Sequence, residues 1–451
     1  MKIIVNGCGK IGSTIVKALT IEGHDVVVVD IDPARINEIT ATYDVIGIVG
    51  NGGSPDILSE CGAGGCDVFI SVVNSDETNM LACFFARRLG AKNTVARVRD
   101  TEFSDEEKSF FRKELGLSLI INPDLLTARE IHDLLRFPSA VKVERFSNGM
   151  EMAELVLRDG SLLAGMSLVR IREKYPARIL VCCVLRNDKV FIPDGSFVLE
   201  TGDRIGITGS VNELGKFMRL VSANHKKARD IMILGGSRTA TYLASLIING
   251  GNTVRIVERS RQVCEALCEK LPKAIVINAD GTDHDVLIEE GLGTVDAFVS
   301  LTGLDEQNIL SAVHASSVSG AKSVAKVNSE SLAKMADQIG LDTAVSPKNA
   351  VSDVVVRYVR ALNESVGSDF ETLYRIFDGK VEAIEFRAKN DCRILKTPLK
   401  SLKTRENTLV AGIIHEGKVI IPGGADSVSA GDRVIVIAAG QRIDTLDDIL
   451  G

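Results

Sequence analysis

Val5-Asn6-Gly7-Cys8-Gly9-Lys10-Ile11-Gly12 spaces three glycines as Gly-x-Gly-x-x-Gly directly behind a short apolar strand at residues 2–5. The same segment opens an amphipathic helix at 11–22, ended by Gly23. An apolar run at 26–30 follows and places Asp30 eighteen residues past Gly12. Glycine triplets arise by chance. A triplet between strand and helix, with an acidic residue ending the next strand, is the pattern of a dinucleotide-binding turn. Gly7 permits the tight turn, Gly9 removes a Cβ that would block a diphosphate, and Gly12 lets helix and strand pack closely. The helix N-terminus offers unpaired N–H groups and the positive end of its dipole to phosphate.

Asp30 suits a ribose 2′-hydroxyl as hydrogen-bond acceptor, and its charge would repel a 2′-phosphate. NAD(H) is therefore favoured over NADP(H). ATP and ADP also carry a ribose and phosphates, so these residues leave NAD(H), ATP and ADP open.

The pattern then recurs. Gly7-Cys8-Gly9-Lys10-Ile11-Gly12 returns as Gly235-Gly236-Ser237-Arg238-Thr239-Ala240, 228 residues on, and Asp30 returns as Glu258. Ser71 to Asn79, containing Asp76-Glu77-Thr78-Asn79, returns as Ser300 to Asn308 at a shift of 229. Ile192-Pro193 and Gly202-Asp203-Arg204 return as Ile421-Pro422 and Gly431-Asp432-Arg433 at the same shift. The chain is a tandem duplication of a two-part unit.

In each copy short apolar strands alternate with helices, the signature of a parallel sheet covered on both faces. Strands are expected at 47–49, 68–72 and 94–99, and helices from Pro33, at 56–60 and at 78–89. A long helix follows at 124–136, closed by Phe137-Pro138, with a counterpart at 349–362. Beyond it β-branched alternation and turn residues dominate, giving strand-rich modules of roughly 80 residues, near the lower limit for an independent core. These modules are expected to pack against neighbours or dimerise. The divisions are 1–122, 140–221, 230–347 and 369–451. Lys226, Lys227 and Arg229 read as a solvated linker.

The net charge of −7 and the absence of a basic block argue against nucleic acid. Nine cysteines without framework spacing suit a reducing compartment. Cys182-Cys183 falls in an apolar strand, and Cys264 and Cys268 lack further ligands for a metal. The chain opens directly in a strand, so no signal peptide is expected, and no apolar run reaches the ~18–20 residues of a membrane span.

The second loop is altered: Ser237 stands where Gly9 does, crowding a phosphate, and Ala240 where Gly12 does. Glu258 keeps the ribose-reading carboxylate. A vacant or reshaped second site stands beside a working one. Asn51-Gly52 answers Asp280-Gly281 near the expected adenine position. The Asp-Glu-x-Asn segments either line the cleft or simply charge a helix N-terminus. Arg97 and Lys326, 229 apart, are candidate phosphate partners or internal ion-pair cations. A dehydrogenase needs an acid or base at its nicotinamide. None of the six histidines has a histidine counterpart in the other copy, and the strand-rich modules show no His-Asp or Cys-His cluster. The chain reads as a sensor rather than an enzyme.

Over its whole length the chain resembles the peripheral subunits of Trk-type potassium uptake systems, built from two RCK (regulator of potassium conductance) units. The residues that carry the resemblance are Gly7 to Gly12 with Asp30, the Asp76 to Asn79 segment, and Val95-Ala96-Arg97-Val98. In the second copy they are Gly235 to Ala240, Glu258, Asp280 and Asp305 to Asn308, with the Ile-Pro and Gly-Asp-Arg segments of both modules. The resemblance implies an α/β fold: two tandem Rossmann-like doubly wound parallel-sheet domains, each followed by a small α+β RCK C-terminal domain. It further implies NAD(H) and ATP/ADP as ligands, a ring of four chains, and a cytoplasmic protein held at the membrane by a potassium-translocating subunit that it gates. The implied ligand contacts are Gly7, Cys8, Gly9, Lys10, Ile11, Gly12, Asp30, Asn51, Val72, Val73 and Arg97. In the second site they are Gly235, Gly236, Ser237, Arg238, Thr239, Glu258, Asp280 and Thr302. Asn51 departs from the Asp such domains often carry. An NAD-dependent oxidoreductase and a ligand-sensing ring on another ion channel are the alternatives.

Overall fold

The computed structural model describes residues 1–100, 105–137, 139–221, 228–341, 343–363, 370–377 and 379–451. Pro138, Lys226, Lys227 and Asp369, each given a place by the sequence, lie outside them.

The first copy begins β1 (Lys2–Asn6), α1 (Lys10–Ile21), β2 (Asp25–Asp30), α2 (Pro33–Thr42), β3 (Ile46–Val49) and α3 (Pro55–Glu60). It continues β4 (Val68–Ser71), α4 (Asp76–Leu89), β5 (Asn93–Arg97), α5 (Asp105–Glu114), β6 (Leu119–Ile121) and α6 (Pro123–Arg136). The six strands form one parallel sheet in the order β3-β2-β1-β4-β5-β6. Helices cover both faces, so β2 buries Val26 to Val29 without alternation. Helix starts follow local chemistry: Asp32 caps α2 ahead of Pro33, Ser75 caps α4, and Asn122 caps α6 ahead of Pro123.

The strand-rich module holds β7 (Ala140–Arg145), β8 (Met150–Val156), α7 (Leu168–Lys174), β9 (Ile179–Arg186), β10 (Lys189–Phe191), β11 (Arg204–Ser210) and α8 (Val211–Val221). Its antiparallel sheet runs β10-β9-β11-β8-β7.

The second copy repeats this with β12 (Asp230–Leu234), α9 (Arg238–Asn249), β13 (Thr253–Glu258), α10 (Arg261–Lys270), β14 (Ile275–Asn278) and α11 (His284–Glu289). Next come β15 (Ala297–Ser300), α12 (Asp305–Ser319), β16 (Lys322–Lys326), α13 (Glu330–Gln338), β17 (Thr343–Val345) and α14 (Pro347–Asn363). Its parallel sheet is β14-β13-β12-β15-β16-β17. The last sheet, β18 (Phe370–Ile376), β19 (Val381–Arg387), β20 (Thr408–His415), β21 (Lys418–Ile420) and β22 (Arg433–Ala439), has the order β18-β19-β22-β20-β21. That order matches the first module strand for strand, so the duplication extends to topology.

The two copies exchange their long helices. Ala128, Ile131 and Leu135 of α6 share a core with Leu243, Ala244 and Ile247 of α9, in the other copy. Reciprocally, Val351, Val355 and Val359 of α14 pack with Ile15, Val16 and Leu19 of α1. The strand-rich modules meet face to face through Met150, Met152, Cys182 and Cys183 against Phe377, Ala411, Ile435 and Ile437. The expected dimerisation therefore occurs within one chain. Cys182 and Cys183 are buried there, as their apolar setting implied.

Candidate functional site

Gly7 adopts φ +101°, and a Cβ on it would stand 3.0 Å from Val73. A Cβ on Gly12 would fall 1.7 Å from the Gly7 carbonyl oxygen, so helix and loop touch with no room for a methyl. Gly9 is different. A Cβ there would have only Arg35 Nη1, 3.9 Å away, and the space in front of it is open. As the N-cap of α1, Gly9 supplies no side-chain hydrogen bond. The loop is thus closed behind and open in front, toward the helix N-terminus.

Asp30 is buried at 6% exposure, and its carboxylate accepts the Cys8 N–H at 2.7 Å and the Asp32 N–H at 3.0 Å. Arg35 Nη1 lies 3.7 Å away. Asp30 therefore pins the glycine loop. Burial pushes the Cys8 thiol up to about 12, with Asp30 adding to the rise and Arg35 opposing it. Such burial disfavours the thiolate, which is the form that reacts. Lys10 is exposed, Ile11 half-buried, and Val72 and Val73 close the loop from β4.

Asn51 is exposed and accepts the Gly53 N–H at 2.9 Å. Its neighbour Gly52 is the tighter constraint, since a Cβ there would come 2.0 Å from Asn6 Oδ1. Neither Asn6 nor Arg35 was singled out by the sequence. Asn6, 1% exposed, donates to Ser71 Oγ at 2.9 Å, and an Asn ending β1 gives no distinguishing pattern. Arg35 follows the second strand by five residues, and only the fold brings it to Asp30.

The second loop keeps the bracing. Gly235 has φ +97°, and Glu258 accepts the Gly236 N–H and the Ser260 N–H, each at 2.7 Å. Ser237 does more than crowd the approach: it caps α9, its hydroxyl accepting the Ala240 N–H at 3.3 Å. One amide that a phosphate could use is already taken. Arg238 is exposed, while Thr239 is 1% exposed and donates from Oγ1 to Asp124 Oδ1 of α6 at 2.8 Å. Asp280 accepts from Thr282, and Thr302 donates to Asn308.

The Asp-Glu-x-Asn segments have a structural task. Asn79, fully buried, accepts from Ser71 Oγ and the Val73 N–H and donates to the carbonyls of Val73 and Arg97. Asn308 repeats this with Ser300, Thr302 and the Lys326 carbonyl. Asp76 accepts the N–H groups of Arg99 and Asp100, and Asp305 those of Asn328 and Ser329.

Arg97 stands away from Asp30. At the end of β5 it is 5% exposed, its Nε and Nη2 buried without a hydrogen-bond partner among the described residues. Burial holds its pKa below the usual value, Arg99 adds to this, and Arg238 of the other copy lies within electrostatic reach. Lys326, its counterpart, is likewise depressed by burial and donates to the Leu301 carbonyl at 3.4 Å.

The strand-rich modules do contain a His-Asp pair, contrary to the sequence reading: His415 Nδ1 lies 2.6 Å from Asp432. Arg186 and Asp203 occupy the same positions 229 residues earlier and pair at 2.7 Å. The same two positions thus hold a His-Asp pair in one module and an Arg-Asp pair in the other.

Two parallel nucleotide-type domains with exchanged helices, each bearing a braced glycine loop and an antiparallel module, define a tandem RCK-like protein. The TrkA-N domain family matches residues 3–123 and 231–347, and the TrkA-C domain family matches 152–222 and 383–451. The Trk system potassium uptake protein TrkA homolog 1 of Methanosarcina mazei is 30% identical, with 97% of each chain covered. The Archaeoglobus fulgidus Trk system potassium uptake protein TrkA homolog is 28% identical over the full length of both. The GsuK channel bound to NAD shares the fold at a TM-score of 0.61 and 15% identity, over 97% of this chain and 77% of that one. The chain belongs to the TrkA family.

Proposed function

We propose that this chain is the nucleotide-sensing regulatory subunit of a potassium uptake system, gating a membrane-embedded potassium-translocating partner from the cytosolic side. The observation that carries the reading is the first loop. Gly9 leaves open space before an uncapped helix N-terminus, and a buried carboxylate stands where a ribose hydroxyl would be read. The exchanged helices add to it, because a ligand in one copy acts on an element packed in the other. No helix among the described residues is long and apolar enough to cross a membrane, which suits a role exerted through a partner.

NAD(H), ATP and ADP are the ligands the first site would take, held by Gly7 to Gly12, Asp30, Val72 and Val73. A ring of chains would form through exposed apolar residues repeated between copies. Leu81 and Leu310 lie at equivalent positions of α4 and α12, as do Phe110 and Ile339 at α5 and the end of α13. The reading is non-enzymatic: the Cys8 thiol stays protonated, and no histidine is among the residues assigned to either loop.

Calorimetric titration of the purified chain with NAD+, NADH, ATP and ADP tests the proposal, comparing wild type with Asp30→Ala and Glu258→Ala. Because Asp30 also braces the loop, thermal melts of each variant accompany the titrations. The expected result is competing nucleotides whose affinity falls in Asp30→Ala without unfolding. Absence of binding by all four would end the nucleotide-gating reading.

A further inference from the structure

The helices that lead from each parallel sheet into its strand-rich module, α6 and α14, pack against each other although they belong to different copies. Each also packs against the strand that follows it, β7 or β18, and these four elements bring a cluster of charge to the crossing. Lys142 of β7 is its centre. The ammonium donates to the Arg375 carbonyl of β18 at 2.8 Å, and it stands 3.1 Å from Glu144 Oε1 and 3.7 Å from Asp353 Oδ2 of α14. Glu130 of α6 is within electrostatic reach of Lys142, Glu144 and Asp353, but it is not one of the bonded partners. Arg357 of α14 acts on Glu144 and stacks over the Tyr374 ring of β18 at 4.6 Å. A cavity of about 10 Å³, room for one water at most, is left between Glu144, Asp353, Arg357, Tyr374 and Arg375.

The charges do not balance. With every group ionised, the carboxylates of Glu130, Glu144 and Asp353 face only Lys142 and Arg357, since the Arg375 guanidinium is turned to Glu22 of α1. One proton on a carboxylate removes the excess. Burial raises the pKa of Glu130 to about 7, with Lys142 opposing and Glu144 and Asp353 adding to the rise. Burial raises Glu144 too, against Lys142 and Arg357. Lys142 stays charged: burial works against its ammonium, but Glu144, Asp353 and Glu130 outweigh it. Burial pushes the Tyr374 phenol up to about 12, so it stays neutral. Counting from the prolines that open α6 and α14, the position of Glu130 is Val354, so the second copy has no matching carboxylate there.

We propose that Glu130 is the proton switch of a lock at this crossing, with Lys142 as its moving part. Protonated, Glu130 leaves Lys142 to Glu144, Asp353 and the Arg375 carbonyl, and β7 of one copy is tied to β18 of the other. Ionised, Glu130 competes for Lys142 and adds negative charge between α6 and α14; the Arg375 bond is given up and the two linkers are free to shift. Arg375 also holds Glu22, the C-cap of α1, so the release reaches the helix that the first glycine loop opens. The closed state binds the extra proton. The lock is therefore closed at acid pH and opens as pH rises through about 7. It needs no nucleotide, so its failure and that of the nucleotide reading are separate.

The test is hydrogen–deuterium exchange of the full chain without nucleotide between pH 5 and 8, each rate divided by the intrinsic rate at that pH. Protection of the β7 and β18 amides is expected to fall about ten-fold from pH 6 to pH 8, as linkage to one proton requires. Glu130→Gln should stay protected throughout. Glu144→Gln, which removes a charge that raises Glu130, should move the fall to lower pH without abolishing it. Lys142→Met should show low protection at every pH. Should that variant fail to fold, the two glutamine variants, which keep shape, decide alone. Wild-type protection that ignores pH, or an equal fall in Glu130→Gln, would overturn the lock. A fall kept in Glu130→Gln and lost in Glu144→Gln would overturn the assignment of the proton to Glu130.

Discussion

The glycines of the first loop do different work, and substitution separates them. Gly12→Ala would put a methyl 1.7 Å from the Gly7 carbonyl oxygen. The backbone must move to admit it, at about 3 kcal/mol or more by the scale of overpacked sites. Thermal or chemical denaturation should show a clear loss of stability. Gly9→Ala meets open space, at a helix N-cap with φ −71° that any residue adopts. Its melting temperature should match wild type while nucleotide affinity falls at least about ten-fold, since the methyl stands where phosphate would approach. Normal binding by Gly9→Ala would remove the first loop from the model of function. The sequence assigned both roles from spacing alone, because the turn is built by neighbours in the chain. It could not see Arg35 beside Asp30 or Arg97 within electrostatic reach of Arg238, since those meetings are made by the fold.

At the scale of elements, Asn79 joins three of them: the end of β4, the start of α4 and the end of β5. Asn79→Ala leaves the Ser71 hydroxyl, the Val73 N–H and two carbonyls without their partner in a buried setting. The expected loss is about 3 kcal/mol, read from urea denaturation with the slope unchanged. Asn308→Ala should cost a similar amount in the second copy. If either variant kept full stability while losing ligand affinity, the latch would be a ligand contact instead. Spacing revealed that Asp-Glu-x-Asn recurs but not why. An Asn in the first turn of a helix looks alike whether it faces solvent, ligand or the backbone of the next strand. The three-residue strands β6 and β17 were missed for a related reason: they are too short to show a period.

At the scale of the molecule, the copies are tied by charge as well as by apolar packing. Arg360 of α14, 7% exposed, forms two hydrogen bonds to Glu22 at the end of α1, at 2.6 and 2.7 Å, and pairs with Glu382 of β19 at 2.9 Å. Arg375 joins Glu22 as well. Breaking such a buried group costs about 3–5 kcal/mol, so Glu22→Gln should lower the melting temperature markedly; an unchanged melt would show the copies held by apolar contact alone. Glu130, on α6, adds a pH dependence. Burial raises its pKa to about 7, Lys142 opposes, and Glu144 and Asp353 raise it further. The folded state therefore holds this proton more tightly than the unfolded chain. Its contribution is full below the ordinary carboxylate range and is lost as pH rises through about 7. Glu130→Gln should abolish that loss, so the stability difference from wild type should grow in the variant's favour between pH 5 and 8. A constant difference across that range would contradict the assignment.

The sequence by itself determined the duplication, the parallel sheets, the two glycine loops and the family. All of these depend on residues close in the chain: turns, caps, apolar runs and the carboxylate that ends the second strand. Only the tertiary structure decided how the copies are joined. The exchange of α6 and α14, the face-to-face modules and the bond from Thr239 to Asp124 link residues more than a hundred positions apart. An apolar helix face fixes that a helix must be covered but not by which partner, and an unpaired arginine shows itself only once its surroundings are packed.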